Sequence, residues 1–193
     1  MNNLNQDLNE SKKTLMNISM ELFAEKNFDR VSVDEICKRA GLTKGSFYHH
    51  FKSKYDIPVQ QYREMQGEFY RDYEQSFNLE FIDRFKYVIL WYAEYCTEDK
   101  LNFFINYYKV VVNSPKNKLV RRIEMETKVY TEILHIGMMQ GYFRPEIDIV
   151  FFSEMISKFI YALLLDWAVF QGGIDLASEL EYFYKNILKM LLK

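Results

Sequence analysis

Between Val31 and Ile57 the chain reads VSVDEICKRAGLTKGSFYHHFKSKYDI, where helix starts, a helix stop and an acid-free basic run follow one another closely. Ser32 and Glu35 have the spacing of a capping box, in which hydroxyl and carboxylate each satisfy an orphaned backbone N–H. Val33, Ile36, Cys37 and Ala40 then recur at three- and four-residue intervals, the period of a helix with one apolar stripe. Gly41 ends that helix, because glycine tolerates the left-handed conformation common just past a helix C-terminus. Thr43 is the next N-cap, and Phe47 and Phe51, four apart, share the inward face of a helix of about two turns. Lys44, Gly45, Ser46, Tyr48 and His49 are thereby turned outward. Ser53 with Asp56 has the form of a further helix start. From Lys38 to Lys54 five basic residues (Lys38, Arg39, Lys44, Lys52, Lys54) occur with no Asp or Glu. Against a whole-chain net charge of −2, that is an electropositive patch suited to a phosphate backbone. Two short capped helices, a glycine turn and a basic run read together as a helix-turn-helix for DNA; a solvated charged face is the plainer alternative.

Few residues elsewhere interrupt helices. Seven glycines and three prolines punctuate 193 residues, and strand-like alternation is scarce, so an all-α chain of about nine helices is expected. The first runs from roughly Asn9 to Lys26 with Leu15, Ile18, Leu22 and Phe23 inward; Phe28, Val31, Ile36, Cys37, Leu42, Phe47 and Phe51 complete a small core. The others are expected at about Lys54 to Asn78, Leu79 to Cys96, Glu98 to Val112 after a Thr97 cap, from Ser114–Pro115 toward Gly141, Ile147 to Gln171, and Ile174 to Leu192. Cys37 and Cys96 lie in helical patterns without metal-ligand spacing and read as reduced core thiols of an intracellular protein. The N-terminus lacks an apolar signal core, and the most apolar run, Phe159 to Phe170, is too short for a membrane span. No metal site, cofactor loop or catalytic constellation is evident, so neither an enzyme nor a cofactor is expected. A helical protein-interaction module is a further rival, but leaves the basic run unexplained.

The segment Lys12 to Ile57, and RAGLTKGSFYHHFKSK in particular, resembles the DNA-binding domain of the TetR (tetracycline-repressor) family of transcriptional regulators. The resemblance covers about a quarter of the chain; beyond it only length and helical layout are similar. It implies a three-helix helix-turn-helix domain over residues 9–55 and a C-terminal effector-binding and dimerisation domain over 56–193. It further implies a cytoplasmic homodimer on a palindromic DNA operator, repression by default, and half-sites about one helical turn apart. By position in the family pattern, Lys44 and Gly45, with Ser46, are the base-edge readers, and Thr43, Tyr48, His49, Lys54 and Ser32 hold phosphates. His50 is assigned either phosphate contact or helix packing. His49 departs from the more usual aromatic residue.

The family couples DNA binding to a small-molecule effector, and the long fourth helix would swing as a pendulum. A protein partner, or no ligand, is the alternative. Trp91, Tyr92, Phe103, Phe104, Tyr107, Tyr108, Met125, Tyr130, His135, Met138 and Trp167 are candidate linings for an apolar or aromatic effector, against the simpler reading that such stripes are core. His135, flanked by Leu134 and Ile136, reads more simply as a hydrogen-bonded core histidine than as a ligand contact. The last helix carries apolar residues on two faces, so Phe159, Leu163, Leu180, Phe183, Tyr184, Ile187 and Leu191 are assigned to a two-fold four-helix interface, with burial inside one chain as the alternative.

Overall fold

In the computed structural model, which describes residues 2–113 and 124–192, every regular element is helical apart from one antiparallel bridge between Phe143 and Leu192. Nine α-helices are present among the described residues: α1 (Asn2–Glu25), α2 (Val33–Ala40), α3 (Lys44–His50), α4 (Asp56–Gln75), α5 (Phe81–Tyr95), α6 (Glu98–Val112), α7 (Glu124–Met139), α8 (Ile149–Val169) and α9 (Leu176–Leu191). Short 3-10 turns at Phe28–Arg30 and Ser76–Asn78 follow α1 and α4. The all-α expectation holds. α1 starts earlier than expected, no Gly or Pro standing before Asn27 to stop it. The Ser114–Pro115 helix start lies outside the described residues.

The chain divides into two units, and the division falls inside α4 and inside α6. The first, here the headpiece, runs to Arg63 and also takes in Asn102–Asn113. It contains the whole of the expected 9–55 region and extends beyond it. Its core is Leu15, Met16, Leu22, Phe23, Phe28, Val31, Ile36, Cys37, Phe47, Phe51 and Ile57, joined by Val110 of α6. Ile36 and Phe47 are fully enclosed, and each such side chain contributes about 1.5–3 kcal/mol relative to exposure. Val110 is the member that local pattern does not reveal, since it lies far along the chain from α1–α3. Tyr62 and Tyr107 add a parallel ring stack, centroids 4.1 Å apart.

The second unit holds Glu64–Leu101 and the described residues from 124 onward. Here α7 packs along α8, and α5 along α9. Gly137 on α7 is where rings cross the helix at close range: a Cβ there would lie 2.4 Å from Phe81 and Phe143 carbons. Asp148 and Asp175 cap α8 and α9 by accepting from Phe151 and Ser178 N–H.

One expectation about the last helices needs correction. Leu180, Tyr184, Ile187 and Leu191 are buried inside the single chain, on the face of α9 that meets α5 and α8, and so are not free to form an intersubunit surface. On α8, Val150, Phe151 and Val169 are exposed, as is Phe170 just past its end. Phe159 and Phe183 stack face to face at 3.9 Å, half-buried, and Leu163 is half-buried as well.

Candidate nucleic-acid interface

Helix α2 begins where Ser32 Oγ accepts from Glu35 N–H at 3.2 Å. The other half of the expected box is not made, because the Glu35 carboxylate is paired with Lys26. Gly41, at φ 66°, closes α2, with Leu42 N–H on Cys37 carbonyl at 3.0 Å and Gly41 N–H on Lys38 carbonyl, the bonding of a Schellman stop. Leu42 and Thr43 then lead into α3, where Thr43 Oγ1 accepts from Ser46 N–H at 3.1 Å. Both capping hydroxyls keep their own proton to donate. At the next junction the reciprocal bond is the one formed: Asp56 accepts from Ser53 N–H at 2.9 Å.

With Phe47 and Phe51 buried, α3 turns Lys44, Gly45, Tyr48 and His49 outward, while Ser46 is half-buried. Tyr48 is 57% exposed, its ring edge-on to Phe47. An added Cβ at Gly45 would meet only Thr43 Oγ1, at an ordinary 3.6 Å. The headpiece's own packing therefore does not demand a glycine here.

The acid-free run does not stay acid-free in space. Arg39 holds Glu25 of α1 through two bonds of 2.6 Å and reaches Glu21 at 3.4 Å. Lys44 pairs with Asp34 at 2.7 Å, and that hydrogen bond raises its pKa. Both partners are mostly exposed, so water and salt screen the pair and it can open at little cost. Lys54 departs furthest from expectation. Its ammonium donates to the carbonyls of Phe28, Val31 and Asp29 at 2.8, 2.8 and 3.2 Å, and lies 4.9 Å from the Phe28 ring centre. All three donors are used inside the protein, so Lys54 clamps the turn after α1 and is not presented to a phosphate. Partial burial lowers its pKa, with Asp29 opposing and Lys109 adding to that shift. Lys38 and Lys52 are exposed and form no ion pair among the described residues. They take the place in the cationic surface that Lys54 vacates.

His50 is half-buried and its Nε2 is enclosed without a hydrogen-bond partner among the described residues, which fits helix packing. Burial depresses its pKa from the ordinary 6.5, and His49 and Lys12 add to this. The unfolded chain therefore binds the proton more readily. Headpiece stability is full above the ordinary value and is lost as pH falls through the lower folded one. Urea midpoints should drop from about pH 7 to about pH 5 in the parent protein and drop less in His50→Gln. Identical slopes in the two would disprove this assignment.

Among the expected effector linings, Phe103, Phe104, Tyr107 and Tyr108 are buried in the headpiece unit; Trp91, Tyr92, Tyr130 and Trp167 are buried in the second. Trp91 donates its indole N–H to Asp72 at 2.8 Å. Met138 is half-buried. His135 is exposed on the α7 face turned away from its buried stripe of Val129, Tyr130, Ile133 and Leu134 and so is not a core histidine, and Met125, near the start of α7, is 41% exposed. Cys37 and Cys96 are buried free thiols, and burial pushes both pKa values up. Among the described residues, no helix is long and apolar enough to cross a membrane.

Residues 15–58, which include α2, the Gly41 turn and α3, match the family model for bacterial regulatory proteins of the tetR family. The transposon Tn10 TetC protein of Escherichia coli is 43% identical over 53 residues, which cover 28% of this chain and 27% of TetC. Against that relative the chain spans only about a quarter of its length. The HTH-type transcriptional repressor KstR2 of Mycolicibacterium smegmatis is 25% identical over 151 residues, covering 76% of this chain and 72% of the repressor. In fold, the chain is similar to the transcriptional regulator FadR of Bacillus subtilis, crystallised with stearoyl-CoA, at a TM-score of 0.73 and 20% identity over 94% of this chain and 97% of that one. The helix-turn-helix at residues 15–58 is thus similar to that of the tetR family of bacterial regulatory proteins, and beyond it the chain shares the fold of regulators such as FadR.

Proposed function

We propose that this protein is a cytoplasmic repressor of transcription that binds a palindromic operator as a homodimer and leaves it when a small apolar or aromatic effector occupies the helical region 56–193. The observation that carries the DNA reading is the outward row of α3, in which Lys44, Gly45, Tyr48 and His49 stand exposed above a buried Phe47–Phe51 face. Lys44, released from Asp34, reads a base edge, with guanine O6 and N7 its best match. Gly45 lets the helix approach the groove closely, and Ser46 stands beside it. Ser32, Thr43, Tyr48 and His49 hold phosphates, joined by Lys38 and Lys52. The repressor reading draws support from KstR2, named a transcriptional repressor.

The effector reading is supported by the fold shared with a regulator crystallised with an acyl-CoA. It is also supported by Tyr130, whose enclosed hydroxyl has no hydrogen-bond partner among the described residues, an arrangement a bound polar group would relieve. Dimerisation draws on the parts of α8 and α9 that one chain leaves uncovered: Phe159, Leu163 and Phe183 half-buried, with Phe170 and Tyr182 exposed.

The test is a titration of labelled duplexes selected from a random pool. Two chains should bind each selected duplex, with affinity falling about a thousandfold between about 50 and 200 mM salt if some six phosphates are contacted. Stearoyl-CoA, added as the first effector probe, should release the duplex. Absence of saturable binding at low salt sinks the DNA reading, one chain per duplex sinks the dimer, and indifference to stearoyl-CoA and to apolar aromatic probes sinks the effector.

A further inference from the structure

The start of α5 carries a cation that the proposed function does not use. Arg84 is only 6% exposed, yet no carboxylate among the described residues lies within ion-pair distance of it, and its Nε is enclosed without a hydrogen-bond partner. Rings hold it instead: its guanidinium carbon is 4.5 Å from the centre of Phe77 and 5.6 Å from that of Phe81. A buried arginine without an anion is unusual, because desolvating the charge costs free energy that pairing ordinarily offsets.

Arg84 lines an open groove of about 360 Å³ in the second unit. The N-terminus of the 15-residue α5 opens into the same groove, and its N-cap, Glu80, makes no side-chain capping bond, so first-turn N–H groups stay available. Phe77, Leu79 and Tyr142 line it at 49%, 40% and 39% exposed, beside the polar Glu80 and Gln140. Tyr142 lies nearly parallel to Phe81, 4.6 Å away, and Phe81 is seated against Gly137. One enclosed cation, free helix N–H groups and an exposed aromatic rim converge on a space large enough for a ligand of modest size. Glu80 lines the groove too and Asp83 stands in the same first turn, so a multiply charged anion is disfavoured.

We propose that this groove binds a small organic monocarboxylate, its anion on Arg84 and the first turn of α5, its apolar body against Phe77, Leu79 and Tyr142. Such a ligand would be distinct from the effector proposed above. Benzoate is the probe, titrated calorimetrically into the full chain. Saturable binding is expected, weakened about tenfold or more by Arg84→Met, which keeps the buried stem and removes the charged donor. Benzamide, of the same shape without the charge, should bind correspondingly less well, and inorganic phosphate should not displace benzoate. The proposal is overturned by no saturable binding, by benzamide binding as well as benzoate, by displacement with phosphate, or by benzoate affinity surviving Arg84→Met. Should Arg84→Met lose its helical circular dichroism, Tyr142→Ser decides: its rim position leaves the fold intact, weaker benzoate binding supports the site, and unchanged binding overturns it.

Discussion

Lys54→Met should destabilise the headpiece by about 2–4 kcal/mol, because it leaves three carbonyls of the turn after α1 without their shared donor. Each of Phe28, Asp29 and Val31 presents its C=O to the one ammonium. Methionine retains the aliphatic stem, so the loss isolates the clamp from the packing. The expected signature is a lower urea midpoint for the helix-turn-helix. DNA affinity measured well below that midpoint, and its salt slope, should stay nearly as in the parent. A phosphate contact would give the reverse, with unchanged stability and a shallower salt slope. That reverse pattern would restore Lys54 to the interface.

Gly45→Leu should lower operator affinity about a hundredfold, the cost of losing contacts across one or two base pairs at 1–3 kcal/mol each. It should leave the headpiece at least as stable. The two halves of this expectation rest on different observations. The space beside Gly45 is open apart from Thr43 Oγ1, and leucine is a better helix former than glycine by nearly 1 kcal/mol. Only a partner approaching α3 from outside would object to the added side chain. A melting scan and an anisotropy titration on the same preparation separate the effects. Undiminished affinity would mean that α3 does not enter the groove by this face.

What could be read from the chain was what is local along it. Ser32, Thr43 and Gly41 cap and stop their helices at the residues expected, and Phe47 with Phe51 faces inward as their four-residue spacing requires. Pairings across space were not legible. The run from Lys38 to Lys54 holds no acid, but α1 folds back to give Glu25 to Arg39, and α2 gives Asp34 to Lys44. Lys54 carries the right charge at the right position, and nothing in its neighbours along the chain shows that the carbonyls at 28–31 will surround it. In α9 the period reveals two apolar faces but not their neighbours, and α5 covers Leu180 and Tyr184 where a second chain was expected. His135 sits between Leu134 and Ile136 in sequence, yet a helix turns successive residues by about 100°, and its ring reaches water.

The presence of Val110 in the headpiece core bears on how the protein is made. Lys109 beside it holds Asp29 at 2.6 Å, a bond between residues 80 apart in the chain. A ribosome delivers α1 to α3 long before it delivers α6, so the nascent helix-turn-helix must wait, with part of its apolar interior uncovered, until synthesis has passed residue 110. Loop closure over that separation slows the final step further. A gene fragment ending at residue 63 would keep the protein in that waiting form for good. The family's most recognisable segment is thus, in this chain, an unfinished one until a helix from the far side of α4 and α5 has been translated.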